Sequence, residues 1–268
     1  MVDPHLPKRP SRAVVARGAF RRRGIYLLPN LFTTGALFAG FFAIVQAMND
    51  EWERAVIAVV VAMVLDSLDG RVARLTHSQS EFGAEYDSLS DMVSFGAAPA
   101  LIMYEWALRP LGRWGWIAAF AYCAGAALRL ARFNTNIEVV DKRWFQGVPS
   151  PAAAAVVVGF VWVVNDFGID RASWLRWAAF AITLFAGVSM VVSIPFNSFK
   201  DFNLRRSVPF WATLVVVSVL LLISISPPVV LYLLALAYVL SGYVMWLLRL
   251  RRRRAHRPPV APSGPGTL

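Results

Sequence analysis

Four aspartates in an otherwise apolar chain are the residues best suited to do chemistry. They are Asp66, Asp69, Asp87 and Asp91, within the stretch LDSLDGRVARLTHSQSEFGAEYDSLSD. A charged side chain costs several kcal/mol or more in hydrocarbon, so acidic residues between apolar runs indicate a functional site. Carboxylate oxygens are the ligands that hard divalent ions such as Mg²⁺, Mn²⁺ and Ca²⁺ prefer. The four aspartates therefore predict a metal centre.

The residues between the aspartates predict a ligand that carries phosphate. Gly70, Ala73 and Gly83 share helical spacing with the aspartates, and their small size leaves room for a ligand beside the backbone. Arg74 adds a guanidinium, which suits phosphate recognition. Metal ions, an arginine and a phosphate together describe phosphoryl-type transfer, in which catalysis is mainly positioning and charge neutralisation.

Other interpretations of the aspartates remain open at this point. They could form interhelical salt bridges with Arg71, Arg74 or Arg129, although four acids at this spacing exceed what salt bridges require. They could line the pathway of a divalent-cation transporter, but no polar residues continue the cluster towards the far side of the membrane. A purely structural scaffold has no need of four buried acids.

The elements that position the aspartates are predicted transmembrane helices. The chain has 268 residues, of which 57% are hydrophobic and 16% charged, and its mean hydropathy is +0.54. Apolar stretches of about 20 residues, long enough to cross a hydrocarbon core of about 30 Å, recur along it. We predict an all-α polytopic bundle of about eight spans, near 29–48, 53–74, 83–105, 114–133, 150–165, 173–193, 207–225 and 228–249.

The second and third spans are predicted to form a hairpin that turns near Ser78. Asp69 and Asp87 are equally far from Ser78 in sequence, and Asp66 and Asp91 are nearly so. Because residues advance along a helix at a constant rise, the four carboxylates should lie at matched depths on the inward faces.

Basic residues predict the orientation of the chain. The net charge is +11, and the large majority of the 27 Lys and Arg residues fall in the two tails and in alternate loops. The exceptions are Arg54, Arg109, Arg113, Arg171 and Arg176. The positive-inside rule then puts both termini and the aspartate hairpin in the cytoplasm. Basic residues beside membrane spans predict anionic lipids as partners and argue against nucleic acid.

Three segments are predicted from the same pattern. Residues 1–24 form a basic cytoplasmic segment, residues 25–250 the membrane domain, and residues 251–268 a basic, Pro- and Gly-rich disordered tail. The single cysteine, Cys123, has no disulfide partner and fits a small core position. The disulfide-free, short-looped chain favours a bacterial inner membrane.

The aspartate region resembles a known signature. Its pattern is D-x-x-D-G-x-x-A-R-x8-G-x-x-x-D-x-x-x-D, which is that of the CDP-alcohol phosphotransferases. The resemblance implies six core helices, a homodimer and two divalent ions per site, Mg²⁺ or Mn²⁺ with Ca²⁺ as an alternative. It makes Asp66, Asp69 and Asp87 metal ligands, while Asp91 would share in metal binding and act as the catalytic base on the acceptor alcohol.

The CDP-lipid is assigned to a set of residues around the same signature. By the resemblance, Gly70, Ala73 and Arg74 would hold the CDP moiety, with Arg74 on the pyrophosphate. Asn30, at the start of the first span, could hydrogen-bond the cytosine or simply begin a helix. The predicted CDP-lipid site is Asn30, Asp69, Gly70, Ala73, Arg74 and Gly83.

Three further stretches resemble the phosphatidylserine synthase branch of that family. They are LLPNLFTTGALFAGFFAI at 27–44, RLARFNTN at 129–136 with FQGVPSPAAA at 145–154, and IPFNSFKDFNL at 194–204. In that branch CDP-diacylglycerol and L-serine give phosphatidylserine and CMP. A serine carboxylate needs a cation, and Arg132, Lys142 and Arg143 are the candidates. Glycerol 3-phosphate, inositol and inositol phosphate remain alternative acceptors.

Overall fold

The fold is a bundle of helices with one short strand pair. The computed structural model describes residues 12–135, 144–170, 172–192, 195–197 and 210–255. Its helices are α1 (Arg12–Met48), α2 (Trp52–Leu75), α3 (Glu81–Asp91), α4 (Ala98–Met103), α5 (Arg113–Thr135), α6 (Ser150–Asp166), α7 (Ser173–Val191), α8 (Phe210–Ile225) and α9 (Pro227–Ala255). The prediction of an all-α membrane bundle is confirmed.

Two strands add a small feature that hydropathy does not indicate. Strand β1 (Trp144–Gln146) pairs antiparallel with β2 (Pro195–Asn197), and Phe145 lies opposite Phe196. Next to this pair, the backbone N–H of Val148 donates to the carbonyl of Ser189 at 3.0 Å. The chain entering α6 is thereby bound to the end of α7.

The helices at both ends of the chain extend past their predicted spans. Helix α1 begins at Arg12, so much of the predicted basic segment continues the first span as helix. Helix α9 continues to Ala255, so the predicted tail boundary at residue 251 falls inside it. Arginine is a good helix former, and the first proline after α9 is Pro258. The remainder of both tails lies outside the described residues.

Hydropathy and exposure identify an integral membrane protein. In the part of the chain that the structure describes, four helical stretches are long and apolar enough to cross a membrane, namely Leu28–Met48, Arg113–Thr135, Ser173–Val191 and Pro227–Leu248. Helix α8 is shorter and exposes large apolar side chains along its length, including Trp211, Leu214, Leu221 and Ile225. An exposed apolar surface of this kind suits contact with lipid tails. The two aspartate-bearing helices do not meet that hydropathy criterion within the described residues.

The third predicted span is one helical path, not one α-helix. A π-helical segment, Met92–Ala97, follows α3, and α4 is succeeded by a second π segment, Tyr104–Leu108. Pro99 has no N–H to give to the carbonyl of Phe95, and the hydroxyl of Tyr122 donates to that carbonyl at 2.9 Å. Such interruptions often occur at functional sites, and the first begins directly after Asp91.

Small residues bring the helices around the site close together. A Cβ at Gly40 of α1 would lie 2.7 Å from the Cα of Ser94, and a Cβ at Gly187 of α7 would lie 2.7 Å from the Cα of Tyr122. Ser90 and Ser94 donate to the carbonyls of Thr33 and Ala36 at 3.1 and 3.0 Å. Close backbone approach and interhelical hydrogen bonds are typical of membrane helix pairs. They fix α1 against the aspartate-bearing segment.

Candidate active site

The aspartates lie on two consecutive helices joined by a short turn. Helix α2 carries Asp66 and Asp69 and ends at Leu75, and α3 carries Asp87 and Asp91. Helix α3 begins because the Ser80 side chain accepts a hydrogen bond from the N–H of Gly83 at 3.0 Å, a regular N-cap. The predicted helical hairpin is therefore present, and its turn contains Ser78.

The carboxyl groups meet in two pairs. Those of Asp69 and Asp87 lie within hydrogen-bonding reach of each other, and so do those of Asp66 and Asp91. These are the pairs that the sequence placed at matching distances from Ser78. One carboxylate oxygen from each of Asp66, Asp69 and Asp87 lies within 4.8 Å of the other two. Asp91 is beside this triad through its contact with Asp66.

The cluster fits a divalent cation. Asp69 is 5% exposed, and the Oδ1 atom of Asp87 is buried without a hydrogen-bond partner. Crowded carboxylates cannot all stay ionised without cations nearby. Three converging carboxylate oxygens, together with a buried Asp87 oxygen that lacks a donor, suit a hard metal ion.

Salt bridges do not account for the acids. Within the described part of the chain, the ion pairs are Arg54 with Glu51 and Arg109 with Glu105, both away from the cluster. None of Arg71, Arg74 and Arg129 forms an ion pair with the four aspartates there. The salt-bridge interpretation of the motif is therefore wrong for these residues.

Thr33 is a member of the site that the sequence analysis missed. It is 3% exposed on α1, and its Oγ1 lies 2.8 Å from Oδ2 of Asp69 and 3.2 Å from the carbonyl oxygen of Pro29. A hydroxyl that donates to a metal-binding carboxylate orients it. The available signal was a threonine pair in an apolar span, which also fits ordinary helix packing.

The beginning of α3 faces α1 across a polar rim. A Cβ built on Gly83 would lie 3.5 Å from Oδ1 of Asn30, so these two predicted CDP-lipid residues are neighbours. Beside them, the hydroxyls of Thr34 and Tyr86 are 3.0 Å apart, a contact that the sequence did not predict. The rim offers amide and hydroxyl groups next to the acid cluster.

The other predicted CDP-lipid residues border open space. A Cβ at Gly70 would meet no atom within 4 Å. Arg74 is exposed and, among the described residues, has neither a hydrogen bond nor an ion pair of its side chain. Ala73, which lies between these two residues in the sequence, is partly buried. This side of α2 is accessible to a ligand.

The predicted acceptor residues are placed only in part. Arg132 is partly buried, and its Nη1 lies 3.5 Å from the carbonyl oxygen of Val191 on α7. Lys142 and Arg143 lie outside the described residues. Near the acids, Asn134 of α5 exchanges hydrogen bonds of 3.0 and 3.3 Å with Ser88 of α3. The end of α5 is thus joined to the helix that carries Asp87.

Comparisons with known proteins agree with this geometry. The family model described as CDP-alcohol phosphatidyltransferase matches residues 26–189, which include the whole acid cluster. A Helicobacter pylori protein named CDP-diacylglycerol–serine O-phosphatidyltransferase is 36% identical over 226 residues, covering 83% of this chain and 92% of that protein.

Proteins with the same name from two other organisms are also similar to this chain. One from Mycobacterium bovis is 35% identical over 194 residues, covering 66% of this chain and 67% of that protein. One from Methanocaldococcus jannaschii is 43% identical over 112 residues, covering 42% of this chain and 52% of that protein. The similarity therefore extends across bacterial and archaeal relatives.

Proposed function

Because this chain belongs to the CDP-alcohol phosphatidyltransferase family, we propose that it transfers the phosphatidyl group of CDP-diacylglycerol to the hydroxyl of L-serine. The products are phosphatidylserine and CMP. The observation that carries the proposal is the acid cluster, where Asp91 stands beside a triad of carboxylates suited to metal. The choice of serine rests on the names of the similar proteins.

Asp66, Asp69 and Asp87 would hold the metal ions, with Asp91 contributing to the second. We propose two ions per site, Mg²⁺ or Mn²⁺. When bound, they neutralise the pyrophosphate and the charge that develops on departing CMP. Thr33 holds one oxygen of Asp69 in place, which leaves the rest of that carboxylate for coordination.

Asp91 is the proposed catalytic base. An alcohol is a weak nucleophile, and a carboxylate within hydrogen-bond reach can take its proton as the new bond forms. The serine oxygen attacks the phosphorus that carries diacylglycerol, and the bond from that phosphorus to CMP breaks. The proton passes to Asp91. Its contact with Asp66 keeps it beside the ligand triad.

The CDP-lipid would lie against α1, α2 and the start of α3. Arg74 binds the pyrophosphate, and the open space at Gly70 lets the CDP moiety approach the backbone of α2 beside Ala73. Asn30, next to Gly83, is the proposed hydrogen-bond partner of the cytosine. Asp69 belongs to both sets, because a metal ion held by it would supply positive charge to the pyrophosphate.

The arrangement in the membrane completes the proposal. Both termini and the site face the cytoplasm, where L-serine and CMP are soluble, and the basic tails bind anionic lipids. A homodimer in a bacterial inner membrane is proposed from the family resemblance. Residues 25–250 constitute the membrane domain between the two basic segments.

A CMP-release assay tests the function. Purified protein in detergent receives CDP-diacylglycerol and Mn²⁺ or Mg²⁺, with serine, inositol, glycerol 3-phosphate and inositol phosphate offered separately. We expect metal-dependent release with serine. Release with another alcohol would retain the chemistry and reject serine, whereas no release with any acceptor would overturn the transferase proposal.

A further inference from the structure

Arg129 is a partly buried cation that no assigned role explains. It lies on α5, and its Nη1 donates to Oγ of Ser150 at 2.7 Å. Ser150 begins α6 and is 0% exposed. The guanidinium is also close enough to Asp91 to interact with it electrostatically. A positive charge held by Ser150 thus lies near the proposed catalytic base, on a helix other than those that carry the acids.

The hydrogen-bonding capacity of Arg129 is largely unused. A guanidinium has five N–H groups, and among the described residues this one makes a single side-chain hydrogen bond and no ion pair. Burying a cation is costly unless an anion accompanies it. Asp91 interacts with it electrostatically, but the two form no ion pair among the described residues. The guanidinium therefore keeps N–H groups for a further anion.

The other cations near the site are less suited to this place. Arg132 is directed to the carbonyl of Val191. Arg71 and Arg74 are exposed on α2. Arg129 shares a helical face with Tyr122 and Ala126, both 0% exposed, and so points into the bundle.

We propose that Arg129 binds the carboxylate of the amino-acid acceptor, with Ser150 as a positioning residue that holds the guanidinium. This inference rests on the proposed function and adds the acceptor subsite to it. In serine the carboxylate and the hydroxyl are only a few bonds apart, so a carboxylate on Arg129 presents the hydroxyl to Asp91. Guanidinium and carboxylate form a paired, charge-assisted contact.

Charge also favours this assignment. The carboxylate end of an amino acid is repelled by the four carboxylates unless a cation receives it. Arg129 supplies that cation on the α5 side, whereas the CDP-lipid residues lie on α1, α2 and α3. The two substrates would then be bound by different helices and meet at Asp91.

The test is Arg129→Gln, which keeps a polar side chain and removes the charge. At saturating CDP-diacylglycerol, the KM for serine should rise at least about 30-fold, the usual cost of breaking a buried charge pair. The KM for CDP-diacylglycerol should stay within about twofold. Arg129→Lys should recover part of the loss, because it restores the charge but not the planar fork.

Ethanolamine, which is serine without its carboxylate, provides the second readout. The preference of the wild type for serine over ethanolamine should shrink in Arg129→Gln by the factor lost in serine KM. Ser150→Ala should change serine KM in the same direction by a smaller factor. Arg113→Gln is the matched control, since Arg113 lies on the same helix, over the ring of Trp114.

Three results would overturn the assignment. One is an equal loss with serine and ethanolamine in Arg129→Gln, and another is an unchanged serine KM. The third is a parallel loss of CDP-diacylglycerol affinity or thermal stability in both Arg129→Gln and Arg129→Lys, which would make Arg129 a support of the fold. A wild type that turns over another acceptor and not serine would instead refute the proposed function.

Discussion

The site has two sides of opposite charge, the acids of α2 and α3 and the arginine of α5, and the two sides differ in how their charged groups are hydrogen-bonded. On α2 and α3, three carboxylate oxygens converge within 4.8 Å, and one oxygen of Asp87 lacks a donor. On α5, the guanidinium of Arg129 makes one side-chain hydrogen bond among the described residues, to Ser150 on α6. We propose that metal cations bind on the acid side and an anion on the basic side. In the account proposed above, each substrate would bind on its own side and Asp91 would lie where they meet.

Asp91→Asn should cause the largest loss of activity, because Asp91 is the proposed meeting point of the two sides. Removing the base is expected to lower kcat about 100- to 10,000-fold, while the isosteric amide leaves CDP-diacylglycerol binding nearly intact. CMP release and lipid binding are measured on the same preparation. Asp166→Asn, at the exposed end of α6, is the control. Equal losses of turnover and binding would remove Asp91 from the role of base.

Thr33→Val should weaken metal binding on the acid side alone. The substitution keeps the shape and deletes the hydroxyl that donates to Asp69. The apparent Mn²⁺ affinity is expected to fall about 10- to 100-fold, as for other residues that orient metal ligands. The concentration of Mn²⁺ at half-maximal CMP release measures it.

Two variants control for the loss of a buried hydroxyl at position 33. Thr33→Ser should restore most of the affinity. Thr183→Val deletes a fully buried hydroxyl that bonds only to the carbonyl of Ala179 within α7, and should leave Mn²⁺ affinity unchanged. A similar decline in both valine variants would mean that Thr33 affects packing and not the metal ligands.

Ser88→Ala should weaken the packing of α3 against α5, which connects the two sides. It deletes the hydrogen bonds with Asn134 that join α3 to α5. A typical hydrogen bond contributes about 1 kcal/mol, so turnover should fall about fivefold or less. Ser224→Ala, on the lipid-facing α8, serves as the control. A loss beyond about 100-fold in Ser88→Ala would place Ser88 in the chemistry itself.

The sequence predicted the acid side well because its information is local. Asp66, Asp69, Asp87 and Asp91 lie on two adjacent helices whose spacing determines which carboxyl groups meet. The π-helical interruption after Asp91 was not predicted, because Pro99 acts there through the Phe95 carbonyl and the distant Tyr122.

The basic side could not be predicted in the same way. Arg129 and Ser150 meet through packing of α5 against the chain that enters α6, and nothing in their spacing indicates the contact. The sequence placed the acceptor cation at Arg132, Lys142 or Arg143 because they stand near the predicted membrane boundary. Thr33 was missed for the same reason, since its partner Asp69 is on another helix.

The most direct test of the central claim is the binding of Mn²⁺ itself, measured by electron paramagnetic resonance on purified protein with CDP-diacylglycerol. The wild type and the Asp166→Asn control should bind two ions per chain, and Asp87→Asn should lose saturable binding of at least one. Saturable binding that Asp87→Asn leaves unchanged, or none in the wild type, would contradict the account, because the carboxylates of α2 and α3 would then not be the metal site.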